Sequence, residues 1–421
     1  MKIALASWGS RGDVEPCVAV SRELLRRGHQ VRLAVPPDLV GFAESAGLAA
    51  VAYGPDAQNI VDAYRDFWMC FFGGFWRIRE LHRLGNEIGE PLTTCREEIG
   101  KTLMLVADGA DLLFTGTNYE DVAANVAEYL DIPLATLHWY PLRPHGQLMR
   151  ILPGPLGRAA MSAFWWLHWR MTRKVDDAHR RELGLPMATV PSWRRITERG
   201  SLEIQSYDAA CFPGLATEWA KFGGRRPIVG ALTMELPTDS DDEVAAWIAA
   251  GTPPIFFGFG SMPIPSPADT IAMISAACAE LGERALVCAG WSGFKRVPHL
   301  DNVKVVATMN YAAAFPACRA VVHHGGTGTT AAGLRAGVPT LIVWMTADQA
   351  VWAARIKRLK VGTARHFSRT TRETLVADLG RILAPRYVAR AREIATRMSE
   401  PGESVATAAD HVEEFARLQV G

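Results

Sequence analysis

Residues 323–330, His323-His324-Gly325-Gly326-Thr327-Gly328-Thr329-Thr330, place two imidazoles, three glycines and three hydroxyls in eight consecutive positions. That composition suits a cradle for phosphate oxygens: glycines let the backbone come close, and main-chain N–H groups, threonine hydroxyls and the His324 ring can all donate. Downstream, Asp348-Gln349 supplies a carboxylate and a carboxamide, groups that accept from and donate to vicinal sugar hydroxyls. A glycine-rich turn alone is as often a tight loop that binds nothing. Followed by the Asp-Gln pair, it points to a hexose joined to a pyrophosphate.

These residues need elements to hold them. Residues 319–323, with Ala320-Val321-Val322 at their centre, read as a short buried strand, residues 329–336 form a helix pattern that stops at Gly337 with Pro339 beyond, and residues 340–344 form an apolar strand. The cradle thus lies between a strand and a helix start, where free N–H groups meet the positive end of the helix dipole. The Asp-Gln pair follows the next strand, and in open α/β sheets ligands sit at the carboxyl ends of strands. A second loop of this kind, residues 7–16, joins the first strand to its helix as Ser7-Trp8-Gly9-Ser10-Arg11-Gly12-Asp13-Val14-Glu15-Pro16. It lacks the G-x-G-x-x-G spacing of a dinucleotide fingerprint. On residue type alone Asp13 reads as a helix N-cap, and Arg11 as a solvated loop charge.

Four pieces in order, residues 257–262, Ala289-Gly290-Trp291, the cradle, and Ala347-Asp348-Gln349, resemble the donor-binding domain of inverting nucleotide-sugar glycosyltransferases of the GT-B fold. The resemblance covers residues 256–362 and is closest to bacterial antibiotic and glycolipid glycosyltransferases and their sterol glucosyltransferase relatives. It implies an α/β fold of two facing Rossmann-like, doubly wound parallel-sheet domains with a cleft between them. The loop at residues 7–16 is similar to the first loop of the antibiotic enzymes, which implies Asp13 as the base that deprotonates the acceptor hydroxyl. The diphosphate would then meet Ser10, Arg11, Ser261, His324, Gly325, Gly326, Thr327, Gly328 and Thr329. Trp291 would border the nucleotide, as a contact or as a core residue. The backbone at Thr308 and Met309 would read the pyrimidine base, with Val306 standing where plant relatives carry an aromatic platform. Asp348 and Gln349 would hold the sugar of a dTDP- or UDP-sugar donor.

The 421 residues, 49% hydrophobic and 21% charged, suit two globular domains. We expect an acceptor-binding domain over 1–226, a linker at 227–243, a donor-binding domain over 244–400 and a final helix at 401–421 that, by resemblance, packs back on the first domain. A net charge of +1 gives no general attraction for nucleic acid. Seven cysteines without a C-x-x-C and no H-E-x-x-H offer neither a disulfide framework nor a metal site, so no metal or other cofactor is expected. The chain starts on an apolar strand without a signal-peptide h-region and has no run of ~20 apolar residues. A cytoplasmic protein, soluble or peripheral at the inner face of the membrane, is expected.

Two aromatic stretches, around Trp68 and Trp76 and around Trp165 and Trp169, fall where the resembled family has its acceptor loops. They and His138 are candidates for the acceptor region, against the alternative that all pack in the core. Residues 143–181 carry eight Lys/Arg against two acids, and cations beside tryptophan are the composition of an interfacial helix. The expected partners are therefore a nucleotide-sugar donor, a hydrophobic small-molecule or lipid acceptor and, peripherally, a membrane. Three other classes fit less of the pattern: a sugar-nucleotide epimerase, for which the acid/base carboxylates lack a motif; a catalytically silent helper of another glycosyltransferase; and a lipid-binding module.

Overall fold

The structure is a computed structural model and describes residues 1–58, 67, 70, 78–147, 153–262, 264, 266–290 and 300–420. Trp68, Trp76 and Trp291 lie outside the described residues. The chain divides into two compact units, one of Met1–Ile60, Asn86–Met234 and Glu400–Gly421, the other of Val61–Gly85 and Glu235–Ser399. The division at Met234 falls inside the 227–243 stretch.

Each unit is built on a six-stranded parallel sheet. In the first, β1 (Lys2–Ala6), β2 (Gln30–Val35), β3 (Ala50–Ala52), β4 (Leu112–Thr115), β5 (Leu134–His138) and β6 (Leu202–Gln205) lie in the order β3-β2-β1-β4-β5-β6. In the second, β7 (Ile255–Gly258), β8 (Ala285–Cys288), β9 (Val303–Val306), β10 (Ala320–His323), β11 (Thr340–Trp344) and β12 (Gly362–His366) lie in the order β12-β11-β10-β7-β8-β9. Counted within its own sheet, each reads 3-2-1-4-5-6, the doubly wound order. The central strands β4, β5, β7, β8 and β10 are buried along their whole length. That is why their sequences are continuous apolar runs rather than alternating ones: helices cover both faces of a parallel sheet.

Strand order singles out one place in each sheet. The direction of winding reverses between β1 and β4 and again between β7 and β10, and the crevice outside the carboxyl ends at such a point is where α/β sheets hold ligands. Six helices matter below: α1 (Arg11–Arg26), α2 (Gly154–Glu182), α3 (Ser192–Glu198), α4 (Thr327–Arg335), α5 (Ala347–Leu359) and α6 (Pro401–Val420). Helix α1 follows β1, α4 follows β10 and α5 follows β11. The last helix, α6, belongs to the first unit and is tied to the end of α1. There the Arg27 guanidinium reaches Asp410 at 2.6 Å and Glu413 at 3.3 Å, and His29 meets Glu413 at 2.7 Å.

Candidate functional site

In the first unit the β1–α1 loop is locked before any ligand is considered. Ser10 is the N-cap of α1 and Asp13 stands at the third helical position in a capping box, its Oδ2 accepting from the Ser10 amide at 2.6 Å and the Ser10 hydroxyl at 2.8 Å. The cap expected at Asp13 is therefore Ser10, and Asp13 is its reciprocal partner. Gly9 has φ +137°, and a Cβ there would come 2.7 Å from the Asp13 carboxyl carbon and 2.8 Å from Asn118 Nδ2. Only glycine lets the loop close over this carboxylate. The Ser7 hydroxyl donates to the Asp13 carbonyl at 2.9 Å and Asn118 donates to the Trp8 carbonyl at 3.0 Å. Asp13 is half-buried, while Arg11 is exposed, paired with Glu15 at 3.2 Å and stacked over Phe42.

In the second unit the cradle stands at the switch point. His323 pairs with Gly258 across β10 and β7, so the turn after β7, with Ser261 half-buried in it, is the immediate neighbour of residues 323–330. Gly325 has φ +103°, and a Cβ there would press on Ile342 at 2.9 Å and Gln349 at 3.2 Å. Gly326 is the N-cap of α4, and Thr327, Gly328 and Thr329, all half-buried, form the first turn. Main-chain N–H groups in a first turn have no partner within the helix. Thr330 is different: it is buried, and its hydroxyl returns to the Gly326 carbonyl at 2.8 Å.

The two histidines sit in different surroundings. His323 is fully buried, its Nδ1 accepts the Gly325 amide at 3.0 Å, and its Nε2 has no partner among the described residues. This network places the proton on Nε2, an uncommitted donor. His324 is half-buried, its Nδ1 has no partner among the described residues, and the Gly258 backbone lies beside its ring. Burial holds His324 below its ordinary pKa against the opposing pull of the Asp348 carboxylate and the Gly258 bond. A Cβ at Gly260 would lie 2.6 Å from the His324 Cε1, which shows the ring wedged against the β7 turn as a strut. Burial, then the neighbouring His324, also push His323 well below its ordinary range.

Asp348 and Gln349 sit in the first turn of α5, beyond β11. Gln349 is buried, and its Oε1 accepts the Met345 and Thr346 amides at 2.8 and 3.2 Å. Its oxygen is thus committed to a capping box, leaving only its carboxamide N–H groups for a sugar. Asp348 is half-buried, accepts from the Thr346 hydroxyl at 2.6 Å, and is close enough to His324 to raise that ring's basicity. Cradle and carboxylate are brought together. After β9, Thr308 is exposed and Met309 buried. The Thr308 carbonyl accepts from the Ser240 hydroxyl, and the neighbouring Ala307 carbonyl accepts the Gly290 amide at 3.1 Å. Among the described residues no group of three or more His, Cys, Asp or Glu is placed to hold a metal ion.

Two families match parts of this chain: the glycosyltransferase family 28 N-terminal domain over residues 3–64 and the erythromycin biosynthesis protein CIII-like C-terminal domain over residues 289–413. An uncharacterized glycosyltransferase of Mycobacterium tuberculosis (strain ATCC 25618 / H37Rv) is 60% identical over 420 residues, 99% of each chain. The chain belongs to the GT-B glycosyltransferases. A sterol 3-beta-glucosyltransferase of Arabidopsis thaliana is 30% identical to this glycosyltransferase over 97% of its chain and 67% of the plant protein. Among solved structures, the glycotransferase of kitacinnamycin superposes with a TM-score of 0.71 at 16% identity over 98% of both chains. The glycosyltransferase VinC in complex with dTDP does so with 0.62 at 19% identity over 100% of this chain and 99% of that one. At such identities the likeness speaks for the fold.

The acceptor candidates of the glycosyltransferase separate cleanly. His138 is fully buried, its Nε2 meeting Glu120 at 3.0 Å and its Nδ1 meeting Gln205 at 3.1 Å, so it is a core histidine with no atom left to present. Trp169 is also buried, under the Arg173 guanidinium, and Trp165 is half-buried with its indole N–H on the Leu142 carbonyl at 3.1 Å. These two indoles pack α2 against its own unit. The exposed aromatics of α2 are Phe164 and Trp166, and Trp166 lines a groove of about 540 Å³ with Trp193, Arg194 and Pro191 from α3 and the turn before it. Helical spacing around position 165 does signal an amphipathic helix, but it does not say which indole faces in. No local pattern signals that Glu120, Arg143, Glu203 and Arg226 meet, because they come from four distant segments.

Proposed function

We propose that this glycosyltransferase moves a hexose or deoxyhexose, with inversion, from a dTDP- or UDP-sugar to a hydroxyl of a hydrophobic acceptor such as a glycolipid, lipopeptide or sterol-like molecule. The observation that carries the reading is the cradle at the β7/β10 switch point with the Asp348 carboxylate beside His324. In the reaction, Asp13 takes the acceptor's proton as its oxygen bonds to the anomeric carbon and the bond from that carbon to the diphosphate oxygen breaks. Negative charge then gathers on the departing nucleoside diphosphate. The first-turn amides of α4, the helix dipole and the His324 ring are suited to it, with Ser10, Arg11 and Ser261 as further diphosphate contacts and Asp348 and Gln349 on the sugar. Thr308 and Met309 are assigned to the base. Protein groups compensate this charge without a cofactor. Support for the donor comes from VinC and from the Streptomyces glycosyltransferase SsfS6, whose structures hold dTDP and thymidine diphosphate, and for an apolar acceptor from the sterol glucosyltransferase relative. The acceptor is met at the cytoplasmic face of a membrane.

A thermal-shift series with dTDP, UDP and GDP tests the donor half. Free nucleotide at about a hundred times its dissociation constant should add ~2.7 kcal/mol of stability, and a chain that none of the three stabilises does not have this donor site. Within the site, His324→Ala is expected to weaken binding of free nucleoside diphosphate and of sugar nucleotide together, by ~1.5–3 kcal/mol. Asp348→Ala should weaken the intact sugar nucleotide alone. Equal losses for both ligands in the Asp348 variant would remove it from the sugar. Gln349 is the poorer probe, since its substitution also uncaps α5.

A further inference from the structure

We infer that the outer face of α2 docks on an anionic lipid bilayer. Along this helix Leu156, Ala160, Phe164, Leu167, Met171 and Val175 follow one another at intervals of three or four residues, which puts them on one face. That face is open: Leu156 is 56% exposed, Phe164 62%, Leu167 57% and Met171 78%. At ~1.5 Å per residue the stripe is roughly 30 Å long. Contiguous exposed apolar surface of this kind marks an interaction site rather than ordinary surface.

The charges beside the stripe decide its occupant. Arg170, Lys174 and Arg181 are exposed, and the spacing places them in one row along its edge. None of the three has a carboxylate partner among the described residues, and Arg170 lies over the exposed Trp166 ring. The acids of the same segment are turned the other way: Asp176 is buried on Arg195 at 2.9 Å, and Asp177 is buried, accepting the Ala188 amide at 3.1 Å. Glu182, at the end of the helix, is its one exposed carboxylate. The face therefore offers apolar side chains, an indole and unpaired cations, which match acyl chains, the headgroup boundary and anionic lipid in turn. A second copy of the chain would bring the same cations and no complementary acids. No described helix is long and apolar enough to cross a membrane, so the contact lies on the surface. The docking gives the lipid-acceptor reading its physical location, but it is measured without turnover or nucleotide, so the two ideas fail separately.

The test is sedimentation of the full chain with vesicles of phosphatidylcholine alone and of phosphatidylcholine mixed with phosphatidylglycerol, at low and raised salt. We expect binding to the anionic mixture only, weakening with salt. Arg170→Ser with Lys174→Ser should reduce partitioning about 30-fold, and Leu167→Glu with Met171→Glu should abolish it, with both variants keeping the parent's melting temperature. Equal binding to neutral vesicles, no binding to either, or unchanged binding by the charge variant would overturn the inference. So would elution as a dimer that the Leu167/Met171 variant converts to a monomer, since that outcome assigns the face to a second copy.

Discussion

Asp13→Asn is expected to lower turnover by ~10²-fold or more while melting temperature and donor affinity stay near those of the parent. The capping box makes this substitution selective. Asp13 Oδ2 accepts two bonds from Ser10, and the asparagine oxygen can accept the same two. What is lost structurally is a negative charge at the N-terminus of α1, worth ~0.3–1 kcal/mol. What is lost chemically is the site that receives the acceptor's proton. Steady-state rates, nucleotide binding and thermal melting on the one variant separate the two. Full activity would end the catalytic assignment. A melting temperature that falls together with the rate would reduce Asp13 to the brace of its loop. Ser10→Ala is the complementary measurement, since it removes the hydroxyl bond and the cap while leaving the carboxylate.

The parts of this molecule that were legible from sequence are those governed by local physics. Continuous apolar runs such as residues 320–323 and 340–344 announced buried parallel strands, and glycine next to histidine and threonine at a strand end announced a cradle. Their placement at a switch point required the strand order, which no local pattern encodes. The histidines show the limit most clearly. His323 and His324 are adjacent and chemically identical, so only the neighbours they meet distinguish them: the buried His323 accepts Gly325's amide, while the half-buried His324 lies beside Gly258 and Asp348. Gln349 carries two readings in sequence, because an Asp-Gln pair after a strand is as good a cap as a sugar clamp, and here its oxygen caps. For α2, an amphipathic pattern gave the helix but not the rotation that buries Trp169 and exposes Trp166. Long-range polar contacts were invisible altogether.

The largest stability effect is expected from one of those contacts. Arg143, 1% exposed, donates to Glu120 at 2.6 and 3.0 Å and also to Glu203, which in turn accepts from Arg226 at 3.0 and 3.1 Å. Glu120 also holds His138, so the network ties the carboxyl end of β5 and the first half of β6 to the helix after β4. Burial works against ionised Glu120, but Arg143 and the His138 bond overcome it and draw its pKa down to about 2. Arg143→Met removes the cation and leaves two desolvated carboxylates, which should cost ~3–5 kcal/mol, read as a lowered urea midpoint at neutral pH. The pH dependence carries an independent signature. In the parent, a folded pKa below the unfolded value near 4.5 means the unfolded chain binds more protons, so stability is fully present above about 4.5 and is lost as pH falls toward about 2. In the variant, burial without Arg143 raises the folded pKa instead, so over the range above 4.5 stability should fall as pH rises. A variant that keeps the parent's slope, or loses less than ~1 kcal/mol, would mean that water reaches these carboxylates and that packing, not the ion network, holds the two strands in register.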